Sequence, residues 1–201
     1  MKKKVIIVII ILLVIVGIIV YRNFNNQTEY LIGIGQYGQH SSLDTCREGF
    51  IEGLRQEGIV EGENLKIDYQ NANFDGGTTN LIASNFATEN VDLAMGVGTP
   101  MVQALYNSLS EKDIPTIYTA VTYPEEAGLT NGNITGTSDR FLVDEQLQLI
   151  KQVLPDTSKI GVIYTTSEVN STKTVEDLKE AAANYDVEIV DKGITNASEI
   201  Q

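Results

Sequence analysis

From Tyr30 to the end of the chain, short apolar runs rich in β-branched residues alternate with stretches whose apolar positions recur at helical spacing. No other feature constrains the fold as strongly. A buried strand over Tyr30 to Gln36 leads into a helix from about Ser42 to Glu57, with Leu43, Cys46, Phe50, Ile51 and Leu54 on one face and Gly58 as its stop. The rhythm repeats as strand Leu65 to Gln70, helix Thr78 to Thr88, strand Val91 to Gly96, helix Pro100 to Ser108 and strand Pro115 to Thr119. A loop rich in Gly, Asn and Thr, Thr122 to Ser138, interrupts it. Helix Leu142 to Val153, strand Lys159 to Tyr164, helix Thr172 to Tyr185 and strand Val187 to Asp191 then resume. Strands alternating with helices of this length pair in parallel through right-handed crossovers, which predicts an α/β fold. The second stretch is too small to complete a layered domain and is expected to be the start of one, truncated in this chain.

Ahead of the linker 23–29 stands an unbroken apolar run, Val5 to Val20, behind Lys2, Lys3 and Lys4. A helix needs about 20 apolar residues to cross a bilayer, and this run sits at the short end of the usual range. It lacks a small-x-small cleavage site, and its lysines hold the N-terminus on the cytoplasmic side. Residues 1–22 are expected to form an uncleaved, single-pass signal anchor with the α/β part outside the cell membrane; the alternative is cleavage and secretion.

Lys2, Lys3, Lys4 and Arg22 are the only charges of that segment, so 14 Lys and Arg less these 4 leave 10 against 27 Asp and Glu, a net charge of −17. Such a surface repels phosphate backbones and excludes nucleic acid as a partner. Cys46 is the single cysteine and His40 the single histidine. An intrachain disulfide, a zinc site or a histidine triad is therefore not expected, nor is any cofactor or metal. Cys46 is expected to be a buried apolar residue.

In open parallel sheets ligands bind beyond the carboxyl ends of the strands. The loop Gln36 to Ser42 follows the first strand, and Gly96 to Pro100 follows the third. Thr99 is expected to cap the next helix and Pro100 to fill its first turn, leaving the amides of Met101 and Val102 free to meet a ligand carboxylate, although by itself this feature reads more simply as an ordinary capped helix with water on those amides. Thr119, Ala120, Thr122 and Tyr123 follow the fourth strand. Ser138 and Asp139 precede one later helix; Thr165, Thr166, Asn170 and Ser171 precede another. These groups suit a small polar ligand, and each also suits capping. The literal dinucleotide fingerprint Gly33-Ile34-Gly35-Gln36-Tyr37-Gly38 is expected to be a decoy, because its first two glycines fall inside the strand.

Several blocks resemble one family in order and spacing. They include Asp44 to Leu54, Asp68 to Ala72, Gly98-Thr99-Pro100, Thr119 to Thr122, Asn133 to Asp139 and Glu145 to Lys151. The chain resembles the substrate-binding proteins of ABC importers related to the bacterial tryptophan and tyrosine binders. The resemblance implies a periplasmic-binding-protein-like (type I) fold. Two Rossmann-like lobes, 30–138 and the incomplete 139–201, would close on an amino-acid-like ligand and deliver it to a permease and its ATPase. It implies a binding site at Gln36, Tyr37, His40, Thr99, Pro100, Met101, Thr119, Ala120, Thr122, Ser138, Asp139, Asn170 and Ser171, with Tyr37, Tyr123 or Tyr164 packing the ligand side chain. Tyr123 stands where the family usually has an aspartate. The alternative function is the sensor domain of a membrane receptor. An exported hydrolase built on His40, Ser41 and Asp44 is the weakest reading, and no catalytic residue is expected.

Overall fold

The computed structural model describes residues 12–17, 29–140, 142–195 and 197–200. The expected membrane anchor therefore lies almost wholly outside the described residues; 12–17 are helical and exposed. Among the described residues no helix is long and apolar enough to cross a membrane.

Five parallel strands form the first sheet: β1 (Tyr30–Gln36), β2 (Leu65–Asn71), β3 (Leu93–Val97), β4 (Thr116–Thr119) and β5 (Ile134–Gly136), in the order β2-β1-β3-β4-β5. Helices α1 (Ser41–Gln56), α2 (Gly76–Glu89) and α3 (Thr99–Leu109) connect them. Strand alternation divides β1 between two faces. Ile32 and Ile34 pack with Met95 and Val97 against Leu43, Phe50 and Leu54 of α1. On the other face, Phe86 of α2 and Met101 and Leu105 of α3 form a second cluster around Ala94. Both faces are covered, as a parallel sheet requires. Burying a side chain such as Phe86 contributes roughly 1.5–3 kcal/mol.

Gly33 and Gly35 lie in the middle of β1 because the helices press so close. A Cβ on Gly33 would stand 2.8 Å from the Phe86 ring, and one on Gly35 would stand 2.6 Å from the Met101 sulfur. The fingerprint glycines thus serve packing, in keeping with a decoy.

The second sheet holds two parallel strands, β6 (Lys159–Thr165) and β7 (Glu188–Ile194), in register from Lys159 opposite Glu188 to Thr165 opposite Ile194. Helices α4 (Val143–Val153) and α5 (Val169–Ala182) cover one face, where Val143, Leu147, Ala182 and Val187 form the core. The other face presents Ile163 and Val190 to solvent. Val169, at the start of α5, packs on the Val102, Val121, Ala127 and Leu129 cluster of the five-stranded unit. Tyr123 Oη, also in that unit, donates to Asp177 Oδ2 at 2.9 Å.

Several details correct the sequence reading. Strand β5 lies inside the stretch expected to be loop, where Ile134 supplies a half-buried anchor and β4 the pairing edge. Strand β3 starts two residues later than expected because the Asp92 carboxylate turns back to accept from Leu31 N at 2.7 Å. Cys46 is a free thiol and only half-buried, since α1 lies on the surface with no fully buried residue. Helix α5 starts at Val169, so Asn170 and Ser171 lie in its first turn rather than before it.

Candidate functional site

In the order β2-β1-β3-β4-β5 the winding reverses between β1 and β3, and loops leaving these two strands diverge to open a crevice. Tyr37 follows β1 there, with its amide donating to Val97 O at 3.0 Å. A cavity of about 670 Å³ lies at this point. Tyr37, Phe74, Gly76 and Pro100 of the five-stranded unit line one side, and Thr165, Ser167, Glu168 and Thr195 of the two-stranded unit line the other. These residues lie at or just past the carboxyl ends of β1, β2, β3, β6 and β7. The volume falls within the range of small-molecule sites.

Three helices begin on this cavity. Gly76 is the first residue of α2, Pro100 the second of α3, and Glu168 the N-cap of α5. First-turn amides have no partner within their own helix, so each end is a donor cluster with a partial positive charge. Asp75 closes part of the α2 end, its carboxylate accepting from Thr78 N at 2.7 Å. The α3 end carries no side-chain cap: Gly98 holds the N-cap position with φ of 92°, which no side chain favours. This corrects the expectation for Thr99, which is the first helical residue, with Oγ1 buried and without a partner. It also corrects Val102, whose amide donates to Gly98 O at 3.1 Å and is not free.

The other predicted residues scatter around this centre. Gln36 is fully buried and its amide is committed: Nε2 donates to Gly38 O and Asp44 Oδ1, while Oε1 accepts from Arg47. His40 is exposed and caps α1, its Nδ1 accepting from Ser42 N at 3.3 Å. Asp44 is held by Arg47 at 3.2 Å and faces Gln36, not His40, so the hydrolase constellation does not form. The Met101 side chain is buried under Gly35. Thr119 and Thr137 share a hydroxyl bond of 3.1 Å, Ala120 adopts φ of 53°, and Thr122 O accepts from the Ser138 hydroxyl. Asp139 is exposed. Asn170 Oδ1 is buried without a donor, and Ser171 is half-buried beside it. Of the thirteen, Tyr37 and Pro100 line the cavity. Tyr164 and Tyr123 do not line it, and the Tyr123 ring is buried beneath the Arg140 guanidinium, 5.2 Å above it.

Phe74 and Glu168 were not singled out from the sequence. Phe74 sits in a turn between Asn73 and Asp75 with φ of 61°, its ring edge-to-face on Tyr37 at 5.5 Å between centroids. A large apolar residue in a polar turn was the signal available for it. Burial raises the Glu168 carboxyl above its ordinary value, although a hydrogen bond with Asn170 pulls it back. Burial likewise raises the Tyr37 phenol, with the Glu168 and Asp75 charges adding to the effect. The cavity is thus lined by a carboxyl group on one wall and aromatic rings on another, and rimmed by helix amides.

The family model for ABC transporter substrate binding proteins matches residues 31–201. A tyrosine-binding protein of Clostridioides difficile (strain R20291) is 47% identical over 175 residues, which cover 84% of this chain and 50% of that protein. A crystal structure of an ABC domain in complex with L-Trp from Streptococcus pneumonia superposes with a TM-score of 0.81 at 31% identity, covering 86% of this chain and 60% of that one. The ligand-free, open structure of a substrate binding protein with adhesive properties from Clostridium difficile gives 0.63 at 44% identity, covering 85% and 59%. The chain therefore spans about half the length of the curated relative it matches. With a doubly wound parallel sheet, a crevice at its winding reversal and a match from residue 31 to the end, the chain belongs to the ABC transporter substrate binding protein family.

Proposed function

We propose that this protein is the extracytoplasmic solute-binding component of an ABC importer, capturing a small amino-acid-like ligand between two lobes and passing it to a permease. The observation that carries this is the cavity between the two sheets, onto which three helix N-termini open and to which both sheets contribute lining residues. A ligand carboxylate is stabilised at the uncapped α3 end, where backbone N–H groups and the helix dipole favour an anion. A ligand side chain packs against Tyr37 and Phe74. This grip is that of a binding protein, not a catalyst.

The two lobes correspond to 30–138 and the portion 139–201 of a larger second lobe. Three strands of support bear on closure between them. The tyrosine-binding and L-Trp-complexed relatives indicate the ligand class. The match to the L-Trp complex, at 0.81, exceeds that to the open relative at 0.63 even though the open one is closer in sequence. Tyr123 and Asp177 bridge the units directly. The apolar run Val5 to Val20 would hold the protein beside its permease and raise its local concentration there.

Isothermal titration of the full chain against a panel of amino acids tests the reading. Heat is expected from L-tyrosine or L-tryptophan; a flat response to the whole panel would overturn it.

A further inference from the structure

We propose that Tyr123 and Asp177 form an interlobe latch: the hydrogen bond between them holds the two units together before a ligand arrives, and so sets ligand affinity through residues that touch no ligand. This deepens the function proposed above and rests on it.

Tyr123 stands beside the crossover that joins the units. Thr137 N donates to Tyr118 O at 3.0 Å, the Ser138 hydroxyl to Thr122 O at 3.1 Å, and Arg140 N to Ser138 Oγ at 3.2 Å. The crossover is thereby stitched to the chain just ahead of Tyr123, and the Arg140 guanidinium lies 5.2 Å from the centre of the Tyr123 ring. The tyrosine is 3% exposed, so its ring is fixed in place by the first unit. Its hydroxyl reaches across to the second unit and donates to Asp177 Oδ2 at 2.9 Å.

The acceptor is held just as firmly. Val169, Lys173 and Asp177 recur every four residues and share one face of α5. Val169 packs on the apolar cluster of the first unit, and Lys173 Nζ donates to Asp177 Oδ1 at 2.6 Å, which leaves Oδ2 to the tyrosine. The N-cap of the same helix, Glu168, lines the cavity, whereas neither Tyr123 nor Asp177 does. One continuous helix therefore carries a cavity wall at its start and the latch carboxylate about two and a half turns further on. Swinging that wall away from Tyr37 and Pro100 draws Asp177 off Tyr123.

A hydrogen bond falls away steeply once its oxygens separate, so this one acts only while the units are together. An interaction present in one of two arrangements shifts the population toward it. A ligand that needs that arrangement then binds with an affinity scaled by its population. Removing the bond therefore weakens every ligand of the cavity by the same factor, whatever its side chain.

The test titrates L-tyrosine and L-tryptophan into the full chain, Tyr123→Phe, Asp177→Ala and the double variant, with melting curves of each as a folding control. Each single variant is expected to bind both amino acids roughly 2–10-fold more weakly, the factor to which the net contribution of one hydrogen bond converts. The ratio between the two affinities is expected to stay that of the wild type. The double variant should match Asp177→Ala, because Tyr123 then has no bond left to lose. X-ray scattering should show saturating ligand returning the radius of gyration of Tyr123→Phe to the wild-type value. Unchanged affinity in both single variants, even with a lowered melting temperature, would overturn the latch while the binding function stood. A changed ratio would also overturn it, by putting the pair among the ligand's own contacts, and so would fully additive losses in the double variant. No heat from either amino acid with the wild type would remove the amino-acid reading and this inference with it.

Discussion

Gln36 illustrates how a residue at a strand end acquires a job that its position does not announce. Its carboxamide is buried at the carboxyl end of β1, where a ligand contact was expected, yet Gly38, Asp44 and Arg47 take up its donors and its acceptor. Arg47 in turn stacks 4.6 Å above the Tyr69 ring, so the network fastens α1 to β1 and β2. Replacing Gln36 with Leu strands buried polar partners and is expected to cost about 1–3 kcal/mol in urea unfolding. Ligand affinity by titration should stay within a factor of about two, because the lost bonds are internal to the protein. Glu168 shows the converse. Nothing about an acid three residues past a strand tells whether it faces solvent or an enclosed space; only the second sheet's position relative to the first decides that. The sequence pointed to hydroxyls and amides in the same loop, yet of that loop it is Thr165, Ser167 and Glu168 that line the cavity.

Among the elements, strand and helix identity was legible wherever apolar periodicity was strong. Helices α1 to α5 and strands β1 to β4, β6 and β7 were anticipated, with ends displaced by up to three residues. Strand β5 was not, because Ile134-Thr135-Gly136 is too short and polar to show a period; it exists because β4 offers an unpaired edge. Helix starts were the least legible, since His40 caps α1 and Gly98 precedes α3 where Ser and Thr neighbours were the stronger candidates. The end of β4 carries a further cost. Ala120 holds φ of 53°, a region that disfavours any Cβ, as the chain leaves the first sheet. Ala120→Gly is expected to leave stability unchanged or raise it by up to about 1 kcal/mol, the relieved strain being opposed by added freedom of the unfolded chain. A denaturation midpoint below that of the wild type by more than the error of measurement would show that the methyl's packing outweighs the strain.

At the scale of the whole molecule, the two sheets are joined by Val169 on its apolar cluster and by the bond from Tyr123 to Asp177. Lys173 holds the Asp177 carboxyl below its ordinary value of 3.8, and Tyr123 adds to the effect. A carboxylate with a depressed folded-state pKa stabilises the fold above its unfolded value and loses that contribution as pH falls through the folded one. The bridge should therefore persist at pH 5 and fail only below the ordinary carboxylate range. Tyr123→Phe should mimic that failure at neutral pH, loosening the two units by about 1 kcal/mol, as bonds of this kind contribute. X-ray scattering should record a larger radius of gyration for Tyr123→Phe without ligand, and an unchanged radius would show that the units stay together without this bond. The thinness of the first sheet at Gly33 and Gly35 reaches further than stability. Those two positions set how near α2 and α3 lie to β1, and the leading ends of the same two helices frame the mouth of the cavity. Selectivity can thus be retuned from inside the hydrophobic interior, by a methyl group added far from any solute, and variants that alter what is captured need not map to the walls of the cavity at all.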